Sequence, residues 1–210
     1  VTMEYNGHKL NLIDTPGHVD FSYEVSRSLA AVETAILLID CTQGIQAQTL
    51  ANLYLAIEQD LTIIPVVNKI DLPAADVAKT KREIVKLLGC QEAEILACSG
   101  KTGEGVAEVL AEVIKKGLPP KEKELSLTDY PRALIFDSKY DTYRGVVAYV
   151  RVFNGTIRKG DKIRLLSMGA ESEVLDCGIF KPDYHSLEAL SAGEIGYIIT
   201  GFKTVGDCRV

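Results

Sequence analysis

Two carboxylates, each inside a short box of turn-forming residues, are the first groups in this sequence that could do chemistry. Asp14-Thr15-Pro16-Gly17-His18 follows the apolar run Leu10–Ile13. A carboxylate at the C-terminal end of a strand can hold a magnesium ion, often through a water. A glycine lets its backbone N–H approach a terminal phosphate. A polar neighbour, here His18, can orient an attacking water. Taken alone, the same five residues also make a plain strand-to-loop turn with His18 on the surface.

The second carboxylate is Asp71, in Asn68-Lys69-Ile70-Asp71 after the run Thr62–Val67. An ionised carboxylate can accept two hydrogen bonds from the ring N–H and exocyclic amine of guanine. Adenine lacks that donor pair, and a site built for it rejects the analogue by roughly 10⁴-fold or more. The stem of Lys69 can lie along the base plane. The alternative is a loop whose Asp71 caps the next helix, with Pro73 at its start. A third box, Cys98-Ser99-Gly100-Lys101-Thr102-Gly103, follows Glu94–Ala97. Backbone N–H groups of Ser99-Gly100-Lys101 can meet the guanine carbonyl while Lys101 packs on the base. Gly-Lys-Thr also ends a phosphate-binding loop, but that motif needs a glycine five residues before Gly100. Ile95 stands there, so the phosphate-loop reading fails.

Each box needs a strand in front of it, and the sequence supplies three. Thr2–Tyr5 and His8–Ile13 flank Asn6-Gly7, a pair suited to a two-residue hairpin turn. Ala35–Ile39, Thr62–Val67 and Glu94–Ala97 are short apolar runs that suit strands covered on both faces. Helical spacing lies between them. Leu50, Leu53, Tyr54 and Ile57 share one face of Thr49–Gln59. Val106, Val109, Leu110, Val113 and Ile114 share another, and Ala75–Leu88 is closed by Gly89. Alternating strands and helices predict a mostly parallel α/β sheet, in which ligands bind at the C-terminal edge of the strands. Residues 1–120 form this first domain. Leu118-Pro119-Pro120 and the charged run after it predict a linker over 121–129. From Tyr130 no helical pattern appears; short runs separated by turns such as Asn154-Gly155 and Lys159-Gly160-Asp161 predict a small closed β-barrel over 130–210.

Composition narrows the class further. The chain has 210 residues, and its net charge of −6 argues against a bare nucleic-acid-binding patch as its main feature. No apolar run is long enough for a membrane span. The five cysteines (Cys41, Cys90, Cys98, Cys177 and Cys208) are scattered, with no Cys-x-x-Cys pair. That pattern points to reduced thiols rather than to zinc or disulfides. A nicotinamide site is excluded, because no Gly-x-Gly-x-x-Gly follows a strand.

Taken together, the boxes resemble those of the translational GTPases. Asp14–His18 is similar to the third guanine-nucleotide box, Asn68–Asp71 to the fourth and Ser99–Lys101 to the fifth, where Gly100 replaces the usual alanine. Phe21 to Glu33 resembles the switch II helix. The finer likeness is to the LepA, or elongation factor 4, family. It is carried by Asn11–Ala30, by Thr42-Gln43-Gly44-Ile45-Gln46-Ala47-Gln48-Thr49 and, in the barrel, by Phe136-Asp137-Ser138 with Tyr140-Asp141-Thr142-Tyr143-Arg144-Gly145-Val146-Val147. Ala192–Tyr197 fits too.

The resemblance implies an N-terminally truncated P-loop-type GTPase domain followed by a translation-factor β-barrel that itself runs on past Val210. The family's phosphate-binding loop and switch I would lie before Val1, and its missing first strand between Leu10–Ile13 and Ala35–Ile39. It implies GTP/GDP and Mg²⁺ as ligands, with Asp14 supporting magnesium, Gly17 sensing the γ-phosphate and His18 positioning water. It implies the ribosome as partner, through its RNA and proteins and with tRNA, no dedicated DNA partner and a monomer. It implies a cytoplasmic protein, with peripheral attachment at the cytoplasmic face of the cell membrane. The expected activity is ribosome-dependent GTP hydrolysis in elongation, of the back-translocation type, with these 210 residues inactive alone. The rival readings are another translational GTPase, of the elongation factor G or BipA type, and a non-enzymatic ribosome-binding module.

Overall fold

The structure is a computed structural model that describes residues 1–17, 19–120 and 130–202. The expected linker at 121–129 and the end of the barrel at 203–210 lie outside the described residues. By its contacts the chain divides into two compact units, Thr15–Pro119 and Val1–Asp14 with Pro120–Val210.

The chain opens on an antiparallel hairpin of β1 (Thr2–Tyr5) and β2 (His8–Asn11). Asn6 and Gly7 both adopt positive φ, 48° and 75°. That is the turn whose twist matches a two-residue hairpin, and this dipeptide tolerates it. β2 stops at Asn11, short of the expected Ile13, and pairs only with β1 among the described residues. In the structure the hairpin groups with the barrel, where Lys9 pairs with Glu194.

The Thr15–Pro119 unit has a parallel three-stranded sheet in the order β3 (Thr34–Asp40), β4 (Thr62–Asn68), β5 (Leu96–Ala97). β5 is shorter than expected because Glu92–Glu94 forms a turn of 3₁₀-helix. Helix α1 (Ser22–Leu29) follows a short 3₁₀ turn, α2 spans Ala47–Glu58, α3 Val77–Leu88 and α4 Val106–Lys116. Val25 and Leu29 of α1 pack with Ala56 of α2 against the sheet, Ile84 of α3 with Ile39 and Val67, and Val109 of α4 with Ile64 and Val66. α2 corrects one expectation. Its buried face carries Leu53 and Ala56, whereas Tyr54 and Ile57 are exposed. Its strip against α1 is set by the small Ala56, and a hydropathy pattern that ranks residues by size points the wrong way.

Gly105, just before α4, fixes the loop behind β5. Its φ is +73°, and a Cβ there would lie 2.1 Å from the carbonyl oxygen of Ala97 and 3.0 Å from Cα of Cys98. Both obstacles are backbone and cannot rotate away. Gly105→Ala is expected to destabilise the protein by about 3 kcal/mol, lowering the thermal midpoint by about 6 °C or more. An unchanged melting curve would show that this loop yields freely.

In the second unit, β6 (Arg132–Asp141), β7 (Gly145–Asn154), β10 (Glu171–Lys181), β11 (Asp183–Leu187) and β13 (Ile195–Thr200) make an antiparallel sheet in the order β11-β10-β13-β7-β6. β9 (Lys162–Arg164) pairs with β10, while β8 (Thr156–Arg158) pairs with β12 (Ala189–Ser191) as a separate ribbon. The expected closed barrel is therefore a half-barrel by hydrogen bonding among the described residues. The ribbon closes it through side chains: Ile157 and Leu190 join Val146, Ala148, Val150, Val174 and Ile198 in one core. Among the described residues no helix is long and apolar enough to cross a membrane.

Candidate nucleotide-binding site

The three parallel strands end side by side. Asp40 of β3 stands opposite Asn68 of β4, and Val67 opposite Ala97 of β5. The loops after β4 and β5 therefore meet at one edge of the sheet, where open parallel sheets bind ligands. There they form a cleft of about 310 Å³ lined by Asn68, Lys69, Asp71, Leu72, Gly100 and Lys101.

Asn68 braces the two loops. Its Oδ1 accepts the N–H of Lys69 at 2.8 Å and that of Gly100 at 3.0 Å. Lys69 takes a positive φ of 66°, uncommon for a residue with a side chain and a mark of functional loops. The reversal lets the Ile70 N–H reach the Cys98 carbonyl at 3.4 Å, and the Ile70 side chain packs in the core beneath. Ser99 is fully buried and donates its hydroxyl to Asp71 Oδ1 at 2.7 Å, while its own oxygen accepts the Thr102 N–H at 3.1 Å. Asp71, which lines the cleft, is thereby held by one oxygen.

The helix-cap alternative fails, because α3 is capped by Asp76, whose carboxylate accepts the Lys79 N–H at 2.9 Å. The N–H of Gly100, expected to meet a guanine carbonyl, is engaged by Asn68. In the same turn Ser99 and Gly103 also donate to backbone oxygens, and Lys101 is left as the N–H with no acceptor among the described residues. The arrangement offers a planar ring an acceptor at Asp71, a donor at Lys101 and aliphatic stems on its faces.

One residue missed by sequence reasoning belongs here. Asp40 forms an ion pair with Lys69, Oδ2 to Nζ at 2.6 Å, and its Oδ1 accepts the N–H and hydroxyl of Thr42 at 2.8 and 2.7 Å. Burial by itself would raise the Asp40 carboxyl, but the bonds from Lys69 and Thr42 outweigh it and hold its pKa below the ordinary value. The hydrogen bond to Asp40 raises that of Lys69. No box pattern marks Asp40; the only signal was an acidic residue ending an apolar strand.

Asp14, Thr15, Pro16 and Gly17 are not among the residues that line this cleft. Asp14 falls in the hairpin-and-barrel unit, and Thr15, Pro16 and Gly17 begin the other. All four lie in irregular backbone after β2, not at a strand end, and none lines the cleft. Asp14 and Gly17 are exposed, and a Cβ on Gly17 would meet nothing within 4 Å, leaving its backbone open to approach. His18 lies outside the described residues.

Known proteins resemble this chain in sequence and in fold. A family profile described as "Elongation factor Tu GTP binding domain" matches residues 1–120, and "Elongation factor Tu domain 2" matches residues 145–210. Elongation factor 4 of Tropheryma whipplei (strain Twist) is 56% identical over 201 residues, covering 96% of this chain and 33% of that protein. Elongation factor 4 of Thermobifida fusca (strain YX) is 57% identical over 202 residues, covering 96% and 32%. The chain thus spans about a third of the length of the curated relatives it matches. Among solved structures, elongation factor SelB of Methanococcus maripaludis in complex with the GTP analogue GppNHp superposes with a TM-score of 0.75 at 21% identity, covering 98% of this chain and 46% of that one. A bacterial selenocysteine-specific elongation factor gives 0.74 at 24%, covering 95% and 34%. At these identities the likeness is one of fold.

Proposed function

This chain belongs to the elongation factor Tu GTP-binding-domain family, and we propose that it is part of a ribosome-dependent GTPase of translation elongation, of the elongation factor 4 type. The observation that carries the reading is the cleft between the loops after β4 and β5, where Ser99 holds Asp71 by its Oδ1. Asp71 selects guanine through the ring N–H and exocyclic amine, Asn68 braces the two loops, and the stems of Lys69 and Lys101 cover the base. A magnesium ion held chiefly by phosphate and water needs one protein carboxylate, and the exposed Asp14 suits that duty. Magnesium would neutralise charge on the phosphates. Gly17 offers its N–H to the terminal phosphate, and His18 orients the attacking water. By analogy with the relatives the partner is the ribosome, and the step is back-translocation or a related one.

The role of His18 is tested by His18→Ala in the intact protein. A residue that orients water acts in the transition state and not in ground-state binding. Ribosome-stimulated kcat is expected to fall on the order of 10²-fold, with GTP affinity changed less than about twofold. Equal losses in binding and turnover would make His18 structural.

A further inference from the structure

Asp40 has its two carboxylate oxygens committed separately. Oδ1 accepts the N–H and hydroxyl of Thr42, and Oδ2 meets the ammonium of Lys69. The Thr42 turn thus fixes which way the carboxylate faces. Lys69 is equally constrained at its backbone, by its positive φ and by Asn68 Oδ1 on its N–H. Lys69 lines the cleft while its ammonium pairs with Asp40.

A second carboxylate, Asp71, lines the same cleft as Lys69. The charge of Asp71 acts on Lys69 as well, more weakly than that of Asp40. Asp71 already gives Oδ1 to Ser99, so a lysine settling on Oδ2 would leave little of it for a ligand. An isolated exposed ion pair contributes little to stability and nothing to base choice. Here the ammonium is paired with a carboxylate outside the cleft lining, while the carboxylate that the ligand needs lines the cleft with Lys69.

We infer that Asp40 is a positioning residue of the guanine cleft, one that holds the Lys69 ammonium away from Asp71 and keeps the Lys69 stem along the cleft wall. The inference rests on the guanine reading given above. Asp40 touches no ligand; it acts through Lys69. Its effect belongs to the hydrogen bond between Asp71 and the exocyclic amine of guanine, the group that hypoxanthine lacks.

The test is Asp40→Asn in the intact protein, with dissociation constants for GDP, IDP and ADP. Wild type prefers GDP to ADP and to IDP. In the variant the freed ammonium turns to Asp71. GDP affinity is expected to fall about tenfold and IDP affinity about twofold or less, so the preference for GDP over IDP narrows. In a Lys69→Met background no ammonium remains to be misplaced, and Asp40→Asn should then change neither value. An unchanged GDP-to-IDP ratio, an equal loss for both nucleotides, or the same loss in the Lys69→Met background would overturn the role of Asp40. Wild type with no preference for GDP over ADP would overturn the guanine reading itself, before any variant is made.

Discussion

Asp71→Asn is expected to turn the intact protein from guanine toward xanthine nucleotides. GTP affinity should fall by about 10³-fold, and xanthosine triphosphate should become the better ligand. The structure dictates which way the new amide faces. The Ser99 oxygen accepts the Thr102 N–H at 3.1 Å, and its hydroxyl proton goes to Asp71 Oδ1 at 2.7 Å. An asparagine that keeps this bond shows its carbonyl to Ser99 and its NH₂ to the cleft, whereas the flipped amide would leave the proton of the buried Ser99 without its acceptor. Guanine presents an amine at that point, so two donors face each other and a desolvated polar pair goes unsatisfied. Xanthine presents a carbonyl instead and restores the bond. Competition between GTP and xanthosine triphosphate for the variant decides it, and unchanged GTP affinity would end the assignment of Asp71.

How far the sequence foretells this site differs from box to box. The loops after β4 and β5 were legible because each follows a strand whose apolar run is bounded by its own box, and parallel strands bring such loops together. The fine structure was not. Asn68 works by bracing Gly100, a residue 32 positions away, and no local pattern shows a contact of that separation. Asp40 escaped notice for the same reason: its meaning depends on its register with Asn68 and on Lys69 bending back through a positive φ. The Asp14 box was expected at the end of a strand of the α/β sheet. β2 instead stops at Asn11 and pairs only with β1 among the described residues, so the Asn6-Gly7 pair predicts a hairpin without fixing which sheet it joins. The barrel strands were legible from turn spacing, but closure was not. Whether β8 and β12 bond to the main sheet or only pack on it depends on side-chain volumes such as Ile157 and Leu190.

Residues 1–210, produced alone, are expected to show neither steady GTP hydrolysis nor submicromolar GTP binding. The cleft after β4 and β5 is built for a base. Nothing in these residues matches the Gly-x-x-x-x-Gly-Lys-Ser/Thr loop whose N–H groups and lysine hold phosphates, since Ile95 stands where Gly100-Lys101-Thr102 would need a glycine. Phosphoryl transfer depends almost wholly on positioning and on stabilising charge, so residues that select the base cannot supply the rate. The sheet carries a cost of its own. β3 has β4 on one side and no partner on the other among the described residues, and Leu38 on it is 54% exposed. An unpaired, apolar edge invites other chains to pair with it, so the α/β unit should aggregate before the barrel does, whose core is filled from both the main sheet and the ribbon. Two measurements bear on this: titration with a fluorescent GTP analogue, and phosphate release over a buffer blank. Submicromolar binding or steady release would mean that residues among these 210 hold the phosphates, and the site described above would have to be redrawn around them.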